Sequence, residues 1–426
     1  MPVKAFHRNV TQVLPSIIRQ LTVNNMQVYE RMLQTIRERE DVWITSQGDY
    51  MAWWLDREAA TLQISVSNQQ CTVSTSLDQA VIEQIDRGFV ETNIVDCPAT
   101  DFEGEVWITL SPDIEKLDLL KQILKREGII NFREGASGDF LLTQTELGSH
   151  LETIEENVIR RRGKFFEADI DVIRQIIIDK LAARKLPLFR LWYHPKVNGV
   201  ITQAVFSPRY DVDRAITNMA HIRALELKYD VKSTLYIRAF CPFYSDKLVQ
   251  GLAQSSWCPE LVLHGEFVTT AARLGDEYKA AKAEKQHLEA ITGQPILGVG
   301  MHGGELTDNR SPNTDGAVSE AGFLYDTTPR PGKDFLPSRK MINGQFSNAF
   351  TLPHALGDIE IPVNRDYADN FYSRVVTKMD EIYEHRGVFV LMLHPVYFGF
   401  LNYLSKPGNW PPLFKFMVQY VAKKAS

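Results

Sequence analysis

The sequence predicts an α/β fold, a parallel α/β barrel or a doubly wound sheet, together with an additional N-terminal α+β module. Short apolar runs such as "GVITQAVF", "KSTLYIRAF" and "GVFVLMLHP" recur from Pro187 onward and have the length and composition of buried strands. Segments with helical periodicity, for example residues 215–228 and 274–292, separate several of these runs. This alternation is typical of a parallel sheet with helical crossovers, so the barrel or doubly wound sheet is expected in the C-terminal part of the chain.

The N-terminal module is predicted to comprise residues 1–165, and the barrel domain residues 166–426. Residues 10–40 carry apolar side chains at helical spacing, and "DVWITSQGDYMAWWLDRE" predicts a strand, a turn and a helix. The alternating stretch "ATLQISVSNQQCTVSTS" predicts two strands around Asn68. A chain of 426 residues is long enough for two or three such domains.

Composition indicates an ordinary globular protein, with 44% hydrophobic and 23% charged residues. The net charge of −6 gives no support for a nucleic-acid partner or a polybasic membrane contact. The sequence contains no apolar run of about 18 residues, so no transmembrane segment is expected, and the N-terminus is too polar for a signal peptide. A cytoplasmic location is therefore the default expectation, while homo-oligomer formation stays open.

Acidic and histidine side chains fall at the ends of the predicted strands. Asp211 and Asp213 follow "GVITQAVF", and His264, His302 and His394 each end a later run. In α/β folds these ends share the edge where active sites are assembled. A carboxylate and two imidazoles there can bind a divalent metal with an open position for water. If Asp213 is a ligand, Asp211 can accept the proton of the water and an unligated histidine can protonate a leaving group.

Each of these residues also has a structural explanation when it is taken alone. Asp213 stands just before a helical stretch and could cap it, and His264 could pack beside a turn glycine. His394 could cap a strand that Pro395 ends. The joint occurrence of such residues at successive strand ends favours a site over separate structural roles.

Eight stretches follow one another within residues 188–398: "LFRLWYHPKVNG", "FSPRYDVD", "KYDVKSTLYI", "ELVLHGEF", "AEKQHLEAITGQPILGVGMHGG", "EAGFLYDTT", "DIEIP" and "VFVLMLHPVYFG". In their order and spacing they resemble the polysaccharide deacetylase, or NodB-homology, domain of carbohydrate esterase family 4. The resemblance implies a distorted (β/α) barrel of the NodB type that removes acetyl groups, mostly N-acetyl, from sugars with the help of a metal that is often zinc. By position, it implies that Asp211 is the general base, that Asp213 and His264 are metal ligands, and that His394 is the general acid.

Two positions depart from the family pattern. The usual second histidine, four residues after the first, is replaced by Val268, and His302 of "GVGMHGG" matches the place of a ligand in some relatives. If His302 is not the third ligand, Glu266 or water is the alternative. The arginine usual in the "GVGMHGG" motif is also missing, with Gly300 or Met301 in its place. We therefore expect an altered arrangement around the base.

Substrate contacts are expected from Tyr210, Gly265, Glu266 and Tyr397. A backbone N–H near Tyr210 or Gly265 could help to stabilise an oxyanion, and Tyr397 could stack on a sugar ring.

The predicted function is a metal-dependent deacetylase that hydrolyses an N-acetyl group of a sugar or glycan precursor. A first alternative is a catalytically degenerate barrel that binds a saccharide or a partner protein in surface-glycan biosynthesis, which Val268 and the missing arginine favour. A second is a nucleotide-sugar glycosyltransferase, in which the paired aspartates hold a divalent ion against a diphosphate. That alternative ranks last because it uses none of the strand-end histidines.

The N-terminal stretch "RMLQTIREREDVWITSQGDYMAWWLDRE" resembles the segment that follows the "LHP" motif in this family. It could close the barrel in a permuted arrangement, or it could be the remnant of another barrel. The first hypothesis requires residues 42–45 to lie in the barrel.

Overall fold

The structure is a computed structural model. It describes residues 26–60, 62–67, 70–84, 88–89, 94–96, 105–108, 133–134, 140–143, 189–214, 216, 219–257, 259–303, 310–327, 335–342, 345–358 and 367–395. Their helices are α1 (26–37), α2 (Gln47–Ala59), α3 (Met219–Tyr229), α4 (Asp246–Ala253), α5 (Phe267–Leu274), α6 (Glu277–Thr292), α7 (Thr314–Glu320) and α8 (Tyr367–Glu384). None of these helices combines the length and the apolar composition that crossing a membrane needs.

The strands of the same ranges are numbered in chain order. They are β1 (Val42–Ile44), β2 (Leu62–Ser67), β3 (Gln70–Thr75), β4 (Ile82–Gln84), β5 (Gly88–Phe89), β6 (Ile94–Asp96), β7 (Glu105–Ile108), β8 (Arg133–Glu134), β9 (Phe140–Thr143), β10 (Phe189–Leu191), β11 (Lys196–Val197), β12 (Val200–Ile201), β13 (Ala204–Val212), β14 (Thr234–Ile237), β15 (Glu260–Gly265), β16 (Gly298–Met301), β17 (Tyr325–Asp326), β18 (Ser338–Ile342), β19 (Gln345–Thr351), β20 (Leu356–Gly357) and β21 (Val388–Leu393).

The chain divides into two compact units. The predicted boundary between residues 165 and 166 lies outside the described residues. The first unit, which we call the barrel unit, contains Met1–Gly48, Ala204–Ser338 and Asn348–Ser426, and the second contains Asp49–Gln203 and Arg339–Ser347.

The sheet of the barrel unit is parallel and curled, as the sequence predicts. Its strand order is β19–β17–β16–β15–β14–β13–β21–β20, and each neighbouring pair in this path is parallel. Helices alternate with the strands from β13 to β17, because parallel neighbours need crossover connections. Every residue of β13 is buried, as expected for a central strand of a parallel sheet.

One edge of β13 has two partners in succession. Ala204–Phe206 pairs with β1, and residues 209–212 pair with β14. Pro208 falls in the gap between these partners. The amide of Thr45 donates to the carbonyl of Phe206, so the backbone of even-numbered residues of β13 faces this edge. The missing N–H of Pro208 therefore removes no ladder hydrogen bond, which explains a proline in a central strand.

The N-terminal stretch contributes β1 to the barrel sheet. Val42, Trp43 and Ile44 pair in parallel with the first three residues of β13. The placement of β1 meets the requirement of the first N-terminal hypothesis. It lies beside β13, however, and not at either end of the strand order.

The second unit contains helix and antiparallel strands, in the manner of an α+β module. Its three-stranded sheets have the orders β10–β4–β5, β2–β3–β6 and β7–β9–β8. Arg57 of α2 is fully buried in this unit, and its guanidinium donates to the carbonyls of Leu191 and Trp192 at 2.9 and 2.8 Å. These hydrogen bonds fix α2 against the end of β10.

Candidate metal centre

The candidate site lies at the carboxyl ends of four strands of the barrel unit. Asp211 and Asp213 stand at the end of β13, His264 lies in β15, and His302 and His394 directly follow β16 and β21. The strands are parallel, so their carboxyl ends meet at one edge of the sheet.

Three of these residues form a compact donor set. The Nε2 atoms of His264 and His302 lie 3.2 and 3.4 Å from Oδ1 of Asp213. One ligand atom from each residue lies within 4.8 Å of the other two. Among the described residues, no other group of three or more histidine, cysteine or acidic side chains is arranged to hold a metal ion.

Two polar atoms of the cluster are suited to bind a divalent cation. Oδ1 of Asp213 and Nε2 of His264 are buried and have no hydrogen-bond partner among the described residues. Nδ1 of His264 lies 2.9 Å from the carbonyl oxygen of Gly300, an acceptor that keeps the proton on Nδ1 and leaves the Nε2 lone pair directed at the cluster. One carboxylate and two imidazoles with an open position are a donor set typical of zinc.

The electrostatics of the cluster also favour positive charge. Burial raises the pKa of Asp213, but its contacts with His264 and His302 outweigh this effect and hold the pKa well below its usual range. Burial lowers the pKa of His302, yet the carboxylates of Asp213 and Glu266 outweigh it and raise the pKa to about 9. The ionised carboxylate of Asp213 stabilises positive charge beside it. That charge is either the proton of His302 or a cation that replaces this proton.

Glu266 supports His302 from behind. Its Oε1 lies 3.0 Å from Nδ1 of His302, and Nη2 of Arg238 donates to the same carboxylate at 2.9 and 3.0 Å. A carboxylate behind a histidine ligand fixes the ring and its tautomer. The contacts described for the Glu266 carboxylate are thus to His302 and Arg238, whereas the sequence predicted a substrate contact.

The expected base, Asp211, is held by an arginine of its own strand. Nε and Nη2 of Arg209 donate to Oδ1 and Oδ2 of Asp211 at 2.6 and 2.8 Å, and the two side chains are 2% and 4% exposed. Burial raises the pKa of Asp211, but the Arg209 guanidinium outweighs it, so the pKa lies below its usual range. Oδ2 of Asp211 also lies 3.6 Å from Nε2 of His264, which places the carboxylate beside the donor set.

Arg209 and Tyr236 fill the space beside Gly300. A Cβ atom at Gly300 would lie 2.9 Å from Nη2 of Arg209 and 2.6 Å from the ring of Tyr236. The Asp211 carboxylate is oriented by a guanidinium of its own strand, β13, and not by an arginine at Gly300 or Met301. The signal for this was present in the sequence, because Arg209 and Asp211 are two positions apart and side chains at that spacing share one face of a strand.

His394 is clamped by Asp358, a residue to which the sequence analysis gave no role. The backbone N–H of His394 donates to Oδ2 of Asp358 at 2.6 Å, and the ring Nδ1 lies 2.7 Å from Oδ1. Burial lowers the pKa of His394, but the Asp358 carboxylate outweighs it and raises the pKa to about 9. The imidazole of His394 is therefore protonated at neutral pH.

Of the other expected substrate residues, Tyr210 has its side chain away from the site. The side chain of Tyr210 lies on the face of β13 opposite to Asp211, is fully buried, and bonds through its hydroxyl to Tyr29 and to Glu226, the latter at 2.8 Å. Its side chain therefore cannot contact a substrate at the site. Gly265 ends β15, and its carbonyl accepts from the His302 amide at 2.9 Å. Tyr397 lies outside the described residues.

Solved structures similar to this chain include a protein from Mycobacterium smegmatis that is assigned as a polysaccharide deacetylase. The two are 17% identical with a TM-score of 0.37, and the match covers 51% of this chain and 84% of that chain. The PuuE allantoinase matches at 16% identity and a TM-score of 0.35, over 52% and 84% of the two chains. A CE4 family pseudoenzyme from Bacillus anthracis matches at 12% identity and a TM-score of 0.29, over 51% and 60%. No protein-family model and no curated protein matches the chain.

All three TM-scores lie below 0.5, so no role in this chain follows from these similarities. The function must therefore be argued from the side chains of the site.

Proposed function

We propose that the protein is a metal-dependent hydrolase that removes an N-acetyl group from a sugar or glycan precursor. The observation that carries the proposal is the pair of buried atoms without a hydrogen-bond partner, Oδ1 of Asp213 and Nε2 of His264. Buried polar atoms are rarely left without a partner, so two of them facing each other favour a ligand between them. Asp213, His264 and His302 would hold a divalent cation, and zinc is the first candidate.

A cation held there would supply Lewis acidity and lower the pKa of a water ligand. The residues of the chain supply the proton transfers. Asp211 is ionised at neutral pH and can accept a proton from water, while Arg209 keeps both of its oxygens fixed. His394 carries a proton on Nε2 that it can donate to the departing amine, because Asp358 stabilises the charged ring.

The glycosyltransferase alternative is disfavoured by the histidines beside Asp213. A diphosphate-bound metal held by the two aspartates uses no imidazole. Nε2 of His264 and Nε2 of His302 nevertheless lie 3.2 and 3.4 Å from Oδ1 of Asp213. The degenerate barrel remains the second candidate, because Val268 brings no imidazole to the position where the family has a ligand.

Acetate release from N-acetylated sugars by the zinc-loaded protein tests the proposal. We expect activity in the wild type and a loss of about 10²- to 10⁴-fold in Asp211→Asn, which removes the base without removing a proposed ligand. Asp246→Asn, an exposed acid of α4, serves as the control and should keep wild-type activity. If the wild type releases no acetate at any zinc loading but still binds saccharides, the degenerate barrel replaces the proposal.

A further inference from the structure

The N-terminal segment that joins the barrel ends in a buried glutamine. Gln47 is 0% exposed, and its backbone N–H donates to Oγ1 of Thr234 at 2.9 Å. The next amide, that of Gly48, donates to Oε2 of Glu260 at 2.7 Å. These contacts, together with the pairing of β1, hold the Gln47 side chain inside the barrel unit.

A buried chain of hydrogen bonds runs from Gln47 to the proposed base. Nη1 of Arg209 donates to both the carbonyl and the hydroxyl of Thr327 at 2.8 Å. The Thr327 hydroxyl bonds to the hydroxyl of Tyr236, and that hydroxyl donates to Oε1 of Gln47. Arg209 in turn holds Asp211.

The proton assignment along this chain is self-consistent. Tyr236 gives its single hydroxyl proton to Gln47, so the proton between Thr327 and Tyr236 must come from Thr327. The Thr327 oxygen then remains an acceptor for Arg209. From Arg209 through Thr327 and Tyr236 to Gln47, each group donates to the next one in the chain. Hydrogen bonds aligned in this way strengthen one another in a low-dielectric interior.

The ring of Tyr236 makes a second contact with the same arginine. The guanidinium carbon of Arg209 lies 4.0 Å from the Tyr236 ring centroid, and Gly300 leaves the space that both side chains need. Tyr236 thus sets the plane of the guanidinium with its ring and fixes Thr327 with its hydroxyl. A bidentate pair tolerates little rotation of that plane, so its orientation decides where the oxygens of Asp211 lie.

We propose that Gln47 and Tyr236 are positioning residues for Asp211, and that residues 42–48 are part of the active site although they precede the base by more than 160 positions. The role of Asp211 as a base rests on the proposed function. The coupling from Gln47 to Arg209 does not, because it is a property of the buried hydrogen-bond chain.

Two conservative variants interrupt the chain at different points. Tyr236→Phe keeps the ring under Arg209 and removes the hydroxyl, and Gln47→Met keeps the side-chain length and removes the acceptor. We expect kcat to fall about tenfold in each, with KM unchanged, since one net hydrogen bond is lost on the path to the base and not at the substrate. Tyr29→Phe is the matched control, because it removes a buried hydroxyl of the same N-terminal segment that bonds to Tyr210 instead.

A readout that needs no activity is the side-chain Nε–H signal of Arg209 in arginine-labelled protein, assigned by its loss in Arg209→Lys. We expect its hydrogen exchange to be at least tenfold faster in Tyr236→Phe and Gln47→Met than in the wild type, and unchanged in Tyr29→Phe. An unchanged rate in Tyr236→Phe, or an equal acceleration in all three variants, would overturn the proposal. If the exchange results hold but no acetate is released, the coupling stands and the proposed function fails.

Discussion

Two carboxylates of the barrel unit differ in their hydrogen-bond partners. Glu226 of α3 accepts hydrogen bonds from Tyr210, Ser233 and Trp257 at 2.8 to 2.9 Å. Asp213, at the end of β13, has an oxygen that faces His264 without a hydrogen-bond partner among the described residues. The described residues supply hydrogen bonds to both oxygens of Glu226, whereas they leave an oxygen of Asp213 for the cation of the proposed function.

The pKa values of the two groups show the same contrast. Burial raises the pKa of Glu226 to about 8, even though its three donors oppose the effect. At Asp213 the neighbouring imidazoles outweigh burial and lower the pKa. The neighbours explain the contrast: uncharged donors do not offset the burial of Glu226, whereas the two imidazoles keep Asp213 charged, as the proposed cation site requires.

The largest expected effect comes from exchanging each acid for its amide. Asp213→Asn should lower the rate of acetate release by about 10³-fold or more, because it removes the charge that binds the cation and several kcal/mol of transition-state stabilisation with it. Glu226→Gln removes a carboxylate that is more deeply buried than that of Asp213 and should leave the rate within about threefold. Steady-state kinetics on zinc-loaded protein measures both, and a similar loss in the two variants would abolish the contrast.

Arg209→Lys tests whether the base depends on a guanidinium. Lysine keeps the charge but cannot make the two parallel bonds to Asp211 or lie flat on Tyr236. We expect kcat to fall by about 10- to 100-fold, with zinc affinity unchanged because no proposed ligand is touched. Parallel losses in kcat and in zinc affinity would instead mean that Arg209 supports the whole cluster.

Asp358→Asn should change the pH dependence of activity more than its maximum. The general acid works only when protonated, so wild-type kcat/KM should decline as the pH rises through about 9, the pKa of His394. Without the Asp358 carboxylate this pKa falls, and the alkaline limb should move by one to two pH units, roughly towards the ordinary value near 6.5. A pH profile with an unmoved alkaline limb would remove His394 from the role of acid.

The smallest effect concerns stability. The folded protein holds the Glu226 proton up to about pH 8, whereas the unfolded chain releases it near 4.5. Between these values the folded state binds more protons, so the free energy of unfolding should decrease as the pH rises, by up to about 1.4 kcal/mol per unit. Glu226→Gln should flatten this slope in urea unfolding at pH 5.5 and 7.5, and an unchanged slope would show that Glu226 is not the group responsible.

The sequence predicted the parallel barrel and the strand-end residues for a physical reason. Apolar runs of strand length end in Asp211, His264 and His394, and parallel strands bring such ends together. The contact of Arg209 with Asp211 was also readable from their spacing. The contact of Gln47 with Tyr236 could not be predicted. The two residues are 189 positions apart in sequence, and no local pattern indicates a contact at that separation.

The side chain of Tyr210 shows the limit of position-by-position inference. The residue adjoins Asp211 in sequence, but neighbouring residues of a strand face opposite sides, so its hydroxyl reaches Glu226 and not the site. Asp358 was hidden for another reason. Its role depends on the distance to His394, which only the folded sheet sets.

Zinc affinity measured by calorimetry on the metal-free protein tests the central claim most directly. We predict one zinc per chain in the wild type, a loss of affinity of at least about 100-fold in His302→Ala, and a loss of about 10- to 100-fold in Glu266→Gln, which removes the support behind the ligand. His287→Ala, on α6, is the control and should bind zinc like the wild type. Wild-type affinity in His302→Ala would contradict the account, because Asp213 and His264 would then bind the metal without the histidine that takes the place of the family ligand absent at Val268.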